Sequence, residues 1–157
     1  FIITFLMPLY FGLHFLLLSG CSASIYDETK EIATASWSSK NPIAFDFEIS
    51  DTARQYNIFL EVIHQTSFNY QNVYCLVESF GPQGLVQQQT NSLELASKKG
   101  TWLGQCSSDL CTRKIPFITR SKFDMPGSYT VKLTQHSRLD PLEGIKSIRL
   151  IIEPIQS

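Results

Sequence analysis

A chain of 157 residues with 13 Lys and Arg against 14 Asp and Glu lacks the basic face or stripe that a nucleic-acid binder needs. Aromatic residues at 12% and charged residues at only 17% exclude a disordered, self-repelling chain and point to a packed globular body. A single domain of this size buries about two-thirds of the surface its unfolded chain exposes, so a sizeable core is available without metals or multiple staples.

Residues 1–18 are an apolar run interrupted only by Thr4, Pro8, Gly12 and His14. A spanning helix needs about 17–25 apolar residues, so length alone admits a transmembrane anchor. The alternative is a signal-peptide h-region closed by a small-residue cleavage site. Ser19 and Gly20 directly before Cys21 favour the second, because a peptidase needs small side chains at that approach. Residues 1–20 are therefore read as a lipoprotein signal peptide, N-terminally incomplete because no initiator Met or basic n-region precedes the run. Cys21 becomes the first mature residue and the lipid anchor. Each buried CH₂ contributes about 0.8 kcal/mol and one myristoyl chain binds only marginally, so a stable anchor here means more than one acyl chain. Residues 21–42 are read as the lipidated cysteine and tether, and 43–157 as the folded domain.

From Ile43 onward the dominant period is two. Tyr56, Ile58, Leu60 and Val62 share one face, as do Val73, Cys75 and Val77, then Tyr129, Val131 and Leu133, then Ile148, Leu150 and Ile152. Such alternation at β-branched and aromatic positions is the strand signal. Weaker strands are expected near Phe45–Ile49, Leu85–Leu95, Thr101–Gln105 and Thr112–Phe123. Turn chemistry separates them: an Asx-type turn at Asp51-Thr52, the Gly81-Pro82-Gln83-Gly84 stretch, Lys99-Gly100 and Pro126-Gly127. About eight short strands at this spacing predict an all-β chain, an antiparallel β-sandwich of immunoglobulin-like or jelly-roll kind. Tyr129, just after Pro126-Gly127, sits where a sandwich tyrosine returns its hydroxyl to nearby backbone.

The search for chemistry finds no G-x-S-x-G elbow, H-E-x-x-H, P-loop or G-x-G-x-x-G. His64 and His136 stand far apart without a Cys/His/Asp cluster, so no metal site is expected, and both are read as partly exposed. Asp46 and Glu48 share a strand face; that spacing suits an acid/base pair, and equally suits an edge strand guarded against aggregation. The chain is expected not to be an enzyme, to need no cofactor beyond the covalent lipid, and to take no small-molecule substrate. In an exported protein disulfides can form; Cys106 and Cys111, bracketing a four-residue loop, are the expected pair, with Cys75 a free, buried small hydrophobe. Trp37, Phe68, Tyr70 and Trp102 are the candidate partner or ligand surface. The loop Phe68-Asn69-Tyr70-Gln71-Asn72 mixes rings with amides as sugar and protein surfaces do, or its rings simply cover one open end of the sandwich.

Several separated stretches resemble the GldH gliding motility lipoproteins of Bacteroidetes. After the lipobox come Ile25-Tyr26-Asp27-Glu28, Trp37, Phe45-Asp46-Phe47, and Asp51-Thr52 leading into Tyr56-Asn57-Ile58. Phe68 through Tyr74 is similar to the family's Tyr-Pro-Tyr-x-Asn-Leu-Tyr, and Gly100-Thr101-Trp102-Leu103-Gly104 to its Gly-Arg-Trp-Leu-Gly. Pro126 through Thr130 and Leu142-Glu143-Gly144-Ile145 through Glu153 also fit, in the correct order. The chain departs at Cys106 and Cys111, where the family usually has a glycine-rich loop, and at His136-Ser137-Arg138, where Gly-Met-Arg is common.

The resemblance implies a lipoprotein required for gliding and linked to the type IX secretion machinery, with other gliding and secretion proteins as partners. Surface-exported lipoproteins of that phylum place an acidic run directly after the lipidated cysteine, whereas here Ser22-Ala23-Ser24 follows and the first acid is Asp27. An outer-membrane anchor facing the periplasm is therefore expected. A second reading, from a different class, is a carbohydrate-binding sandwich of a glycan-uptake system.

Overall fold

The computed structural model describes residues 23–156. They form β1 (Tyr26–Glu31), a 3-10 turn (Ala33–Ala35), β2 (Ser36–Trp37), β3 (Ile43–Ile49), β4 (Tyr56–Gln65), β5 (Asn72–Gly81), β6 (Gly84–Glu94), β7 (Gln105–Ser107), β8 (Leu110–Ser121), β9 (Gly127–Gln135), β10 (Leu142–Glu143) and β11 (Ile145–Pro154). A five-stranded sheet runs in the order β1-β11-β4-β8-β7 and a four-stranded sheet in the order β3-β9-β5-β6, with β2 and β10 paired as a small ribbon. Every pairing is antiparallel. The expected all-β sandwich is thus the fold. Cys21 and the expected signal peptide lie outside the described residues.

The period of two explains the layers. On β3 and β4 buried and more exposed residues alternate without a break, from Ile43 to Ile49 and from Tyr56 to His64. Phe45, Val77 and Leu133 of the four-stranded sheet meet Leu60, Ile148 and Leu150 of the other in one core. Strand β11 is buried at Ile148, Leu150, Ile151 and Ile152 and only part-buried at Arg149. Turn chemistry is as read: the Ala53 N–H donates to Asp51 Oδ1 at 3.0 Å. The hydroxyl of Tyr56 donates to the Asp51 carbonyl at 2.6 Å and that of Tyr129 to the Met125 carbonyl at 2.8 Å. Two tyrosines therefore pin the chain back on itself where strands begin.

Three strands were not expected. β2 and β10 are two residues each, too short to show a period. β1 lies inside the stretch read as tether, so the folded body starts at Tyr26 rather than at residue 43. Its sequence, Tyr-Asp-Glu-Thr-Lys-Glu, has no apolar alternation. It is held by its backbone ladder to β11 and by Arg149, which takes Asp27 bidentately (2.5 and 2.6 Å) and Glu61 of β4 at 3.1 Å. That guanidinium keeps the Asp27 carboxyl below its usual range. The strand expected at Thr101–Gln105 is displaced to Gln105–Ser107, and Trp102 makes only an isolated bridge with Ala96.

Candidate interaction surface at one end of the sandwich

Two groups of rings sit at the two ends of β4. At its start Tyr56, Phe123, Tyr129 and Phe47 stack and edge against one another. At its far end, about 25 Å away at about 3.3 Å per residue, His64 meets Phe68 and Trp102, with ring centroids 5.9 and 4.4 Å off. The loop after β4 is tied down by backbone: the Thr66 N–H donates to Asp109, and the Leu95 and Ala96 N–H groups both donate to Gln71. Gly144, at φ +98°, lets Phe68 approach; a Cβ there would stand 3.1 Å from the Phe68 ring. Phe68 is thereby driven into the core.

Of the four aromatic residues expected at a ligand surface, two are not on the surface. Trp37 is 1% exposed and Phe68 5%. Trp37 packs across from Leu142 in the ribbon with its indole N–H on the Asn41 carbonyl at 3.2 Å; Phe68 is the plug under the loop. Trp102 is half-buried and lays its ring against His64. Tyr70 alone is free, 42% exposed and edge-on to Phe68 at 5.4 Å.

Tyr70 stands as a ridge between two shallow depressions. One, of about 300 Å³, is floored by Trp102 and walled by Lys98 and Gln71. The other, of about 360 Å³, runs along Tyr74, Arg138 and Leu139. Tyr74 and Leu139 are 49% and 52% exposed. Tyr and Arg at an exposed apolar patch, with no acid among the lining residues of either depression, is the composition of a protein-binding surface. Sequence reading missed Tyr74, Arg138 and Leu139. Tyr74 had a signal, since it falls on the outward phase of β5, but its nearness to residues 137–139 comes from the β5–β9 ladder, continued by the His136 N–H on the Tyr74 carbonyl and the Tyr74 N–H on the Ser137 hydroxyl at 3.4 Å.

A family model for the GldH lipoprotein matches residues 24–152. The chain belongs to the GldH lipoprotein family. It is 27% identical to the gliding motility lipoprotein GldH homolog of Christiangramia forsetii, over 88% of this chain and 89% of that one. It is 26% identical to the gliding motility lipoprotein GldH of Flavobacterium johnsoniae, over 88% and 90%. Among solved structures, a family GH115 4-O-methyl-alpha-glucuronidase aligns at TM-score 0.38 and 13% identity, covering 82% of this chain and 14% of that one. Infectious bursal disease virus, Gx strain, aligns at TM-score 0.36 and 16% identity, covering 86% and 31%. Both likenesses are too slight to carry an argument. GldH family membership makes the chain a lipoprotein held at a membrane.

Within this GldH domain Cys106 and Cys111 face each other across β7 and β8 and are joined in a disulfide. Cys75 is free and fully buried, and burial pushes its thiol up to about 12, so it behaves as an inert hydrophobe. His64, across β4–β8 from Cys111, is fully buried rather than partly exposed as expected. It falls in phase with Tyr56, Ile58, Leu60 and Val62, which is why it points inward. Its Nδ1 donates to the Gln65 carbonyl at 2.9 Å, and Nε2 has no partner among the described residues.

Burial holds the His64 pKa below its ordinary value of 6.5, so the ring is neutral in the fold. As pH falls through 6.5 the unfolded chain takes up a proton more readily than the folded chain, and stability drops. The depressed carboxylates Asp27, Glu28 and Asp140 add their own loss only below about pH 5. Thermal unfolding followed by circular dichroism is therefore expected to show a midpoint falling from pH 7.5 to 5. His64→Leu flattens that dependence. An unchanged slope in the variant removes His64 as its source.

Proposed function

We propose that this GldH-family chain is an outer-membrane-anchored, periplasm-facing lipoprotein that acts by contact, without catalysis, as a component for gliding motility and the type IX secretion machinery. The ridge of Tyr70, Tyr74 and Leu139 beside Arg138 carries the reading, because Tyr70 and Tyr74 are the two rings that stand exposed among the described residues. The names of the two relatives support the gliding role, and the absence of acids between Cys21 and Asp27 supports the periplasmic side. Catalysis finds no nucleophile–base or metal pattern in the sequence.

Deletion in the native organism is expected to abolish gliding and colony spreading and to reduce protein secretion. Complementation with Tyr70→Ala/Tyr74→Ala is expected to restore the protein level but not the spreading. Both side chains project into solvent, so their removal leaves the core intact. Unchanged gliding, spreading and secretion in the deletion strain would remove the proposal.

A further inference from the structure

A β-sandwich with two open sheets has four edges, and three of them here are guarded. β1 carries Asp27, Glu28, Lys30 and Glu31 in six residues. β3 turns Asp46 and Glu48 to solvent, where they accept from Thr130 and Ser128 of β9. β7 is three residues long and tied by the disulfide, and where β8 continues beyond it as the edge it carries Arg113, Lys114, Pro116 and Arg120. Charges on the edge and very short edge strands are the devices that keep sheets from joining edge to edge.

The fourth edge, β6, is built the other way. It runs eleven residues, Gly84–Glu94, and no charged residue occurs between Glu78 and Glu94. Among the described residues it pairs only with β5. Every residue from Gly84 to Thr90 is exposed, with Leu85 at 55% and Val86 at 70%, so the strand projects beyond the cover of the opposite sheet. After one irregularity near Val86 its ladder to β5 is regular from Gln87 to Glu94. Gln87 and Gln89 hydrogen-bond to each other at 2.9 Å along one face. The row of backbone N–H and C=O groups on its free side is a template for one more strand.

We propose that the occupant is β6 of a second copy of this chain, paired antiparallel about a two-fold axis through Thr90. In that register Thr90 faces Thr90, Gln89 faces Asn91, Gln88 faces Ser92 and Gln87 faces Leu93. No charge meets a charge, and directly opposed threonines are a favourable cross-strand pair. Glu94 falls opposite Val86, so the acids of the two copies stay apart. The contact is isologous, so it closes: each copy uses its one unguarded edge and leaves none open, whereas a head-to-tail contact would need a second one. The axis is perpendicular to the joined eight-stranded sheet and returns each inner face to the same side. Both five-stranded sheets, and with them both β1 strands and their tethers, then lie on one side of that sheet. Two copies can therefore be anchored in one membrane, where confinement raises their effective concentration for each other.

Cysteine scanning in intact native membranes tests this. Opposed residues of an antiparallel pair have Cα atoms about 4.5–5.5 Å apart, within the range a disulfide spans. Thr90→Cys is expected to give a species of twice the monomer mass on non-reducing gels after mild oxidation; wild type, whose other cysteines beyond the anchor are the Cys106–Cys111 pair and buried Cys75, stays monomeric. Thr90→Lys, which opposes like charges at the axis, is expected to shift the detergent-purified chain to monomer by light scattering. A crosslink from Gln88→Cys with none from Thr90→Cys moves the axis and overturns the register. An adduct of any other mass gives the edge to a different protein and overturns the second copy. No adduct from either variant, with monomeric wild type in light scattering, overturns the proposal outright.

Discussion

Trp37→Ala lowers the unfolding free energy of the domain by about 3–5 kcal/mol, a large share of the roughly 5–15 kcal/mol that a domain holds. The indole is 1% exposed, belongs to the single core and seats the β2–β10 ribbon against Leu142. Alanine leaves a cavity the size of a bicyclic ring and frees the Asn41 carbonyl from its donor. Because β2 is two residues long, no neighbouring ladder compensates, and the chain between β1 and β3 loses its inward hold. Urea unfolding followed by far-ultraviolet circular dichroism reads the loss directly. Tyr70→Ala, by contrast, stays within about 0.5 kcal/mol of wild type, since its ring projects into solvent. A Trp37→Ala protein as stable as wild type would return Trp37 to the surface where sequence reading had put it.

The contrast between those two aromatics shows what the sequence could and could not carry. Strands β4, β5, β9 and β11 were legible because burial on one face forces a period of two across several residues. The same phase, followed one step further along β4, already placed His64 inward; the residue was misread for its chemistry, not for want of a signal. Trp37 has no such phase. Its burial depends on Leu142, which is remote in sequence, and only the folded backbone joins them. β1 failed for another reason: its hold comes from the backbone ladder to β11 and from Arg149, so its own charged residues look like a linker. The candidate surface was half legible. Tyr70 was singled out correctly as exposed, while Arg138 and Leu139 join it only because β9 delivers residues 136–139 beside Tyr74.

β1 also changes what the anchor can do. The expected tether was the whole of residues 21–42, yet the backbone ladder begins at Tyr26. From Cys21 to Tyr26 the chain reaches at most about 17 Å at about 3.5 Å per residue, so an acyl anchor on Cys21 would hold the sandwich close against the membrane rather than hang it on a long leash. A single acyl chain binds only with K of about 10⁴ M⁻¹, and a second one adds about 0.8 kcal/mol per buried CH₂. Losing every chain therefore removes essentially all of the anchoring energy. Cys21→Ala placed behind a signal peptide that is cleaved without lipidation is expected to move the domain from the sedimenting membrane fraction to the soluble one. The replacement leader matters, because the apolar run of residues 1–18 is itself about long enough to span a bilayer and would retain an uncleaved precursor. A Cys21→Ala domain that still sediments after leader removal would shift the attachment to protein contacts, with the Tyr70–Tyr74 ridge the first place to look. A released domain that no longer supports gliding, although folded to the wild-type midpoint, would show that the short leash is part of the function: it fixes which surfaces of the sandwich a membrane-bound partner can reach.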